Sequence, residues 1–165
     1  MLSKKEKQLK KLEKDVLSCK KCILCKKRIN PVIGQGSFKA KIMFVGEAPG
    51  AKEDATGVPF CGRSGKFLDE LLSSAKIDRE KVYICNIIKC RPPQNRDPKE
   101  KEIKMCSEYI KKQAEIISPK VICPLGRYSM SFIMEMFGFS DDIDVISKVH
   151  GKVFKGKNTV IPFYH

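Results

Sequence analysis

Residues 41–50 read KIMFVGEAPG, in which the apolar run of residues 42–45 is followed by glycine, acid and proline. Short apolar runs bounded by turn residues are typical of strands that are buried on both faces of a sheet. Runs of the same kind recur at residues 82–88, 120–125 and 159–163. The sequence therefore predicts four buried strands, of which residues 41–46 form the first.

Helical patterns precede and separate these strands. Residues 3–17 carry apolar side chains at helical spacing, and Ser3 with Glu6 forms a capping box at the start. Three more helices are predicted at residues 64–75, 98–117 and 127–137.

Two of these helices carry more detailed predictions. In the helix at 64–75, the apolar side chains are expected to face inward. In the helix at 98–117, Asp97 is expected to cap the first turn, with Pro98 inside it and Glu100 closing the box. The inward set is Phe67, Leu68, Leu71 and Leu72.

Strands that alternate with helices imply right-handed crossovers and a parallel sheet. With helices on both faces, this predicts an α/β protein, a three-layer α/β/α sandwich with a central four-stranded parallel sheet. At 165 residues the chain has the length of one domain, so residues 1–165 are expected to form a single unit.

Charge and hydropathy narrow the class of partner. Lys and Arg number 33 against 19 Asp and Glu, a formal net charge of +14, which favours a polyanion such as nucleic acid. A lysine-rich surface without such a partner is the alternative. The sequence shows neither an apolar run long enough to span a membrane nor the apolar region of a signal peptide, so no membrane partner is expected. A cytoplasmic protein is predicted.

Polar features follow three of the predicted strands. GEAPG comes after the first, Asn86 lies near the end of the second, and His165 follows the last. Ligands of open α/β sheets bind beyond the carboxyl ends of the strands, so a site is expected at this edge. The alternative is that the glycines and prolines only turn the chain and that Asn86 only caps a strand.

Eight cysteines in a chain of this kind favour metal binding or catalysis over disulfides. Cys19 and Cys22 form a CxxC, and Cys90 and Cys106 form a second pair. Four thiolates suit a tetrahedral metal ion or an iron-sulfur cluster, and the spacing alone leaves zinc and iron-sulfur open.

The other cysteines have separate interpretations. Cys25 extends the first pair to CxxCxxC. Cys85 and Cys123 lie within apolar runs and are interpreted as core residues. Cys61 stays ambiguous.

Five ordered motifs then carry a family resemblance. GEAPGAKED, GVPFCGRSG and NIIKCRPPQNRDP, with CKKC upstream and a closing IPFYH, resemble the iron-sulfur, or family 4, uracil-DNA glycosylases of the uracil-DNA glycosylase superfamily. The resemblance covers residues 19–165. It implies the sandwich fold and a monofunctional glycosylase that removes uracil from DNA as the first step of base-excision repair.

The resemblance also implies a cofactor. One 4Fe-4S cluster would be held by Cys19, Cys22, Cys90 and Cys106, and Cys25 falls outside that ligand pattern. The cluster is interpreted as structural. It would present a set of basic side chains near the DNA backbone, namely Lys20, Lys21, Lys26, Lys27 and Arg91.

The same resemblance implies roles in a base pocket. Phe60 would stack on a flipped uracil, and the Asn86 amide would donate to uracil O4 and accept from N3–H. Backbone N–H groups of Gly46 and Glu47 would complete the pocket. His165 would stabilise the uracil anion at O2. Glu47 and Glu53 are the candidates for the group that acts on water, and a largely electrostatic mechanism without a strong base is the alternative. The catalytic set is thus Glu47, Glu53, Asn86 and His165.

The expected substrate is uracil-containing DNA, single- or double-stranded, and the expected state is a monomer. Family members continue beyond the His of the closing motif, so a segment after His165 is expected to be missing. His150 is interpreted as a surface residue. Two other functions stay open: a non-catalytic or truncated iron-sulfur DNA-binding relative, and a cysteine-rich redox protein.

Overall fold

The fold is seen in a computed structural model, which describes residues 2–165. Across this range six strands form one sheet in the order β1-β3-β2-β4-β6-β5. The central strands β3, β2, β4 and β6 are parallel, and β1 and β5 pair antiparallel at the two edges. The predicted four-stranded parallel sheet is confirmed, with two short edge strands added. The strands are β1 (Gln35–Gly36), β2 (Ile42–Gly46), β3 (Tyr83–Asn86), β4 (Val121–Pro124), β5 (Phe154–Lys155) and β6 (Thr159–Val160).

The predicted helices are all present, close to their expected bounds. At the first, the Ser3 hydroxyl accepts a hydrogen bond from the Glu6 N–H and the Ser3 N–H donates to the Glu6 carboxylate, so the capping box is confirmed. Two short α-helices were not predicted, one in the loop after β2 and one before β5, nor were four 3-10 helices of three or four residues each. The helices are α1 (Lys4–Leu17), α2 (Ala51–Thr56), α3 (Arg63–Ser74), α4 (Glu100–Ile117), α5 (Arg127–Met136) and α6 (Ile146–Val149).

The strands divide their side chains between two apolar cores, which confirms the three layers. Because successive strand residues point to opposite faces, Met43 and Val45 of β2 pack in one core and Phe44 packs in the other. The first core also contains buried residues of α4 and α5, and the second contains those of α3. Helix α1 packs on the outside of α4 through Leu12 and Val16.

The inward face predicted for α3 is half wrong. Leu68 and Leu72 are buried against the sheet, but Phe67 is 61% exposed and Leu71 is 51% exposed. A helix turns by about 100° per residue, so the Phe67–Leu71 pair, one position earlier, points away from the sheet.

The start of α4 also differs from the prediction. The helix begins at Glu100, and the Lys99 N–H donates to the carboxylate of Glu102 at 2.9 Å. Asp97 does not cap the helix, because its carboxylate accepts from Arg127 and from the Tyr128 hydroxyl. The cysteines interpreted as core residues, Cys85 and Cys123, are buried as predicted.

Within residues 2–165 no helix combines the length and the apolar character needed to cross a membrane.

Candidate active site and cysteine centre

A cavity of about 240 Å³ opens at the edge where β2 and β3 end. Its lining includes Glu47, Glu53, Phe60, Asn86 and His165. The sequence places these residues far apart, and the parallel sheet brings them to one edge. The predicted side chains of the base pocket therefore do lie together.

Gly46, which was predicted to complete the pocket, is not among the residues that line the cavity, but it makes room for two that are. Gly46 and Asn86 are paired at the ends of β2 and β3. A Cβ atom on Gly46 would lie 2.6 Å from the Phe60 ring and closer still to Asn86 Oδ1. Glycine alone therefore lets the ring and the amide meet above the strand end.

The Asn86 side chain has room for a ligand. The residue is only 2% exposed. In the described chain nothing donates to or accepts from its amide, whose atoms open on the cavity. Since a buried polar group left without a partner is costly, this amide is suited to select a ligand with matching donor and acceptor.

The Phe60 ring is fixed by a strained and well-anchored loop. Phe60 has φ 52, in the left-handed region that disfavours residues with a side chain. Arg79 donates to the carbonyls of Pro59 and Phe60 at 3.2 and 3.3 Å. The Gly62 N–H donates to the buried Glu53 carboxylate at 2.8 Å. These contacts hold the aromatic face in place before any ligand arrives.

Glu47 is anchored to the first turn of α5. The Tyr128 N–H donates to Glu47 Oε1 at 3.1 Å. Burial raises the pKa of Glu47 above the usual carboxylate range, although the Tyr128 N–H and the nearby His165 oppose that shift. Gly126, with φ 94, leaves the space that Glu47 and His165 share.

The segment that carries His165 runs beside β4. Leu125 and Phe163 form a parallel bridge, and the Gly126 N–H donates to the Phe163 carbonyl at 2.9 Å. His150 is exposed, as predicted, and it also supports this segment. Its Nδ1 accepts from the Tyr164 N–H at 3.3 Å, and the two rings lie 4.4 Å apart.

Sequence reasoning missed part of the cavity wall. Ser64, Asn95 and Arg96 also line it. Arg96 makes a two-pronged ion pair with the buried Glu102, at 2.9 and 2.6 Å, and this hydrogen bonding lowers the pKa of Glu102. The loop at 91–97 follows the carboxyl end of β3, so the rule that singled out GEAPG could have found it.

The predicted cysteine ligands also come together. They line a second, smaller cavity beside α1 and α4, next to Arg28, Lys89 and Tyr109. Cys25, which the sequence prediction set aside, lies in the same wall. The cysteines in this wall are Cys19, Cys22, Cys25, Cys90 and Cys106.

Two of these sulfur atoms already accept hydrogen bonds. Arg28 donates to Cys90 Sγ at 3.1 Å, and the Lys89 N–H donates to Cys106 Sγ at 3.3 Å. Burial raises the pKa of Cys106 to about 11 and also raises that of Cys90, so a bound cation or cluster would be needed to hold both as thiolates.

The sulfur atoms are not packed around one point. Among residues 2–165 no three Cys, His, Asp or Glu side chains are grouped closely enough to hold a single metal ion. The five cysteines nevertheless share one cavity wall. This spacing suits a cluster better than a single ion, because a cluster of several atoms separates its thiolates more than one ion bound at about 2.3 Å does.

A buried polar chain connects the two cavities. Lys89 is 1% exposed. Its ammonium donates to the main-chain carbonyl of Asn86 at 2.7 Å and to Gln113 Oε1 at 2.5 Å. Gln113 donates in turn to the Tyr83 hydroxyl at 2.9 Å. Burial lowers the pKa of Lys89, and the thiols of Cys85, Cys106 and Cys90 oppose that shift. No sequence pattern predicted this chain of contacts.

The basic side chains predicted to meet DNA differ in their availability. Lys21 pairs with Glu108 and lies 5.3 Å above the Tyr109 ring, and Arg91 donates to Asn95 Oδ1 at 2.7 Å. The remaining three, Lys20, Lys26 and Lys27, are exposed.

Comparison with known proteins identifies the class first. The sequence pattern of the uracil DNA glycosylase superfamily matches residues 33–165. This range contains the whole sheet and every residue of the first cavity. The chain therefore belongs to that superfamily.

Individual relatives narrow the class. The chain is 47% identical to a type-4 uracil-DNA glycosylase of Sulfurisphaera tokodaii over 163 residues, covering 95% of this chain and 73% of the relative. It is 47% identical to that of Archaeoglobus fulgidus over 157 residues, covering 92% and 78%. A type-5 uracil-DNA glycosylase of Thermus thermophilus is 31% identical over 123 residues, covering 66% and 56%. Within the superfamily, the chain belongs to the type-4 family.

Proposed function

We propose that this chain is a monofunctional uracil-DNA glycosylase, which hydrolyses the N-glycosidic bond of uracil in DNA and so begins base-excision repair. Its type-4 relatives carry that activity in their names. The observation that carries the proposal is the unpartnered Asn86 amide beside the Phe60 ring, in a cavity that Glu47 and His165 also line.

The first step is recognition. A uracil inside a duplex is out of reach, so it must be flipped into the cavity. Phe60 stacks on its face, a contact worth about 1–3 kcal/mol. The Asn86 amide donates to O4 and accepts from N3–H. Cytosine presents the opposite pattern and would leave two polar groups unpaired, which makes the choice steep.

The second step is bond cleavage. As the bond breaks, negative charge develops on uracil O2, where His165 donates, and positive charge develops on the sugar. Glu47, held by the Tyr128 N–H, positions the water that attacks the sugar. Glu53 is a positioning residue in this mechanism, because its carboxylate already accepts from the Gly62 N–H and braces the Phe60 loop.

We further propose one 4Fe-4S cluster as the resident cofactor. Cys19, Cys22, Cys90 and Cys106 fit it, since two of them already accept hydrogen bonds and all line one cavity wall. When bound, the cluster supplies a redox-capable centre and a cross-link between the end of α1 and the segment after β3. Cys25, in the same wall, is left without a ligand role.

DNA is the partner, and we propose that both single- and double-stranded forms are substrates. The exposed Lys20, Lys26 and Lys27 are the best-placed contacts to its backbone. We also propose that the chain works as a cytoplasmic monomer and that residues 1–165 form one domain, as the sequence predicts. Elution volume in size-exclusion chromatography, with and without DNA, tests the monomer.

Uracil release from an oligonucleotide tests the activity. The protein should convert a strand with one uracil to an abasic product, and Asn86→Ala should remove this activity. Asn95→Ala is the matched control, because it loses an amide from the rim of the same cavity. DNA binding with an intact cluster but no uracil release would instead identify a non-catalytic relative. Full activity of Asn86→Ala would refute the pocket assignment.

Iron content and visible absorbance test the cofactor. Cys22→Ala should lose iron and the cluster absorbance, whereas Cys123→Ala, a buried cysteine on β4, should keep both. Cys25→Ala should also keep both. Stoichiometric zinc without visible absorbance would contradict the cluster and leave the glycosylase proposal intact.

A further inference from the structure

Lys89 combines deep burial with an unusual set of partners. It is among the largest fully buried side chains of the described residues, at 1% exposed. Its ammonium donates to two neutral oxygens, the Asn86 carbonyl and Gln113 Oε1, and within residues 2–165 it pairs with no carboxylate. A buried charge that is hydrogen-bonded but has no counter-charge is costly, so an anion nearby is expected.

The main chain of Lys89 contacts the cysteine centre. Its own N–H donates to Cys106 Sγ, and the next residue is Cys90. Lys89 lines the wall of that centre together with Arg28, which donates to Cys90 Sγ. With a cluster bound, the four thiolates and the core would carry a net negative charge. The ammonium of Lys89, with which Cys106 and Cys90 interact electrostatically, and the guanidinium of Arg28 would offset that charge.

The ammonium at the end of the Lys89 side chain contacts the strand that carries Asn86. Asn86 is the last residue of β3, and the Lys89 ammonium donates to its main-chain carbonyl. Gln113 of α4 holds the ammonium in turn and is itself tied to Tyr83 of β3. Lys89 thus holds the main chain that carries the Asn86 amide, and a bound cluster would supply the counter-charge of its ammonium.

We propose that Lys89 is a positioning residue that couples the cluster to the uracil-reading Asn86. The inference rests on the proposed function. It assigns Lys89 two measurable effects: it raises the reduction potential of the cluster, because positive charge beside a cluster favours its reduced state, and it keeps Asn86 oriented for uracil.

Lys89→Met tests both effects, since it keeps the buried stem and removes the ammonium. In the cluster-loaded protein, the reduction potential should become more negative. The single-turnover rate of uracil excision should fall at least tenfold, while the concentration of DNA that half-saturates the protein should stay within about twofold, because phosphate contacts dominate DNA affinity. Ile87→Val is the matched control, a buried neighbour that loses packing but no charge, and it should leave the potential unchanged.

Gln113→Glu is a second test of the effect on the reduction potential, in a protein that retains Lys89. The new carboxylate would pair with the ammonium and cancel its field at the cluster. The Tyr83 hydroxyl can turn to donate to it, whereas the hydrogen bond from Gln113 Nε2 to the Ile33 carbonyl, at 2.8 Å, is lost. The potential should again become more negative. This variant decides the question if Lys89→Met fails to fold.

The outcomes separate this inference from the proposed function. A wild-type protein that binds no iron would overturn both the cofactor and the coupling. A wild-type protein with a cluster and uracil excision, whose potential and rate are the same in Lys89→Met and Gln113→Glu as in Ile87→Val, would overturn the coupling alone. A negative shift in both variants, with the rate loss in Lys89→Met, would establish it.

Discussion

At the scale of single residues, the proposed role of Glu47 makes the reaction dependent on pH. Burial raises the pKa of Glu47, and in the proposed mechanism this carboxylate positions water only when it is ionised. The rate of uracil excision should therefore fall on acidification, with a midpoint above the usual carboxylate pKa of about 4.3. Glu47→Gln should lower the rate about 100-fold and remove this acid limb. The measurement is the single-turnover rate against pH.

Glu53→Gln is the control for that profile. Glu53 lines the same cavity, but its carboxylate is engaged by the Gly62 N–H. The variant can lose rate through a looser Phe60 loop, yet its acid limb should stay. If Glu47→Gln kept the limb and Glu53→Gln lost it, the two roles would have to be exchanged.

The two glutamates also show how far the sequence determined the site. Glu47, Asn86 and His165 could be predicted to meet, because each follows a strand of one parallel sheet. The proposed division of roles between Glu47 and Glu53 could not be predicted, because it rests on which N–H each carboxylate accepts from. The Lys89 network could not be predicted either, since its partner Gln113 lies 24 residues away on another element.

At the scale of elements, predictability followed the length and burial of each segment. Strands β2 and β4 are apolar on both faces and stand out in the sequence. Strands β1 and β5 have two residues each, and only their pairing at the sheet edge defines them. Helix α2 was missed because the glycines and prolines around it indicate a loop. The start of α4 was misplaced because three acids compete there and only contact with Arg96 selects Glu102.

The Arg96–Glu102 pair should make the first turn of α4 sensitive to pH. Hydrogen bonding by Arg96 lowers the pKa of Glu102 in the folded state, so the pair stabilises the fold above the unfolded pKa. This stability is lost as the pH falls through the folded pKa. Glu102→Gln should lower the free energy of unfolding by about 1–3 kcal/mol at pH 7, and the difference from wild type should shrink on acidification.

Urea unfolding followed by circular dichroism at several pH values measures this difference. Glu100→Gln is the matched control, because Glu100 lies in the same turn but is exposed. Its effect should stay within about 0.5 kcal/mol. Equal losses in the two variants would mean that the Arg96 contact contributes nothing of its own.

For the whole molecule, the net charge of +14 should make DNA binding strongly dependent on salt. The logarithm of the association constant should fall linearly with the logarithm of the salt concentration. Replacing Lys26 and Lys27 by Ala should make that slope shallower by roughly two. Replacing the exposed Lys10 and Lys11 of α1 should change it less. Equal slopes in the two double variants would show that Lys26 and Lys27, beside the cysteine centre, are not part of the DNA interface.

The segment after Cys25 links the cysteine centre to α2, the helix that follows the first loop of the proposed uracil pocket. The Ile29 N–H donates to the buried Asp54 carboxylate of α2 at 3.0 Å, and the Val32 N–H donates to the Lys89 carbonyl at 2.7 Å. A cluster that joins Cys22 to Cys90 would restrain this segment, so its removal should free many conformations.

Removal of the cluster should therefore loosen the pocket before it unfolds the sheet. After oxidative removal of the iron, hydrogen exchange at the Ile29 and Val32 amides should accelerate at least tenfold, a change of about 1.4 kcal/mol in local stability. The Leu125 amide, which donates to Val45 at 2.8 Å in the centre of the sheet, should keep its protection. Loss of protection at all three amides together would show that the cluster holds the whole fold, whereas unchanged exchange at Ile29 would show that α2 is independent of it.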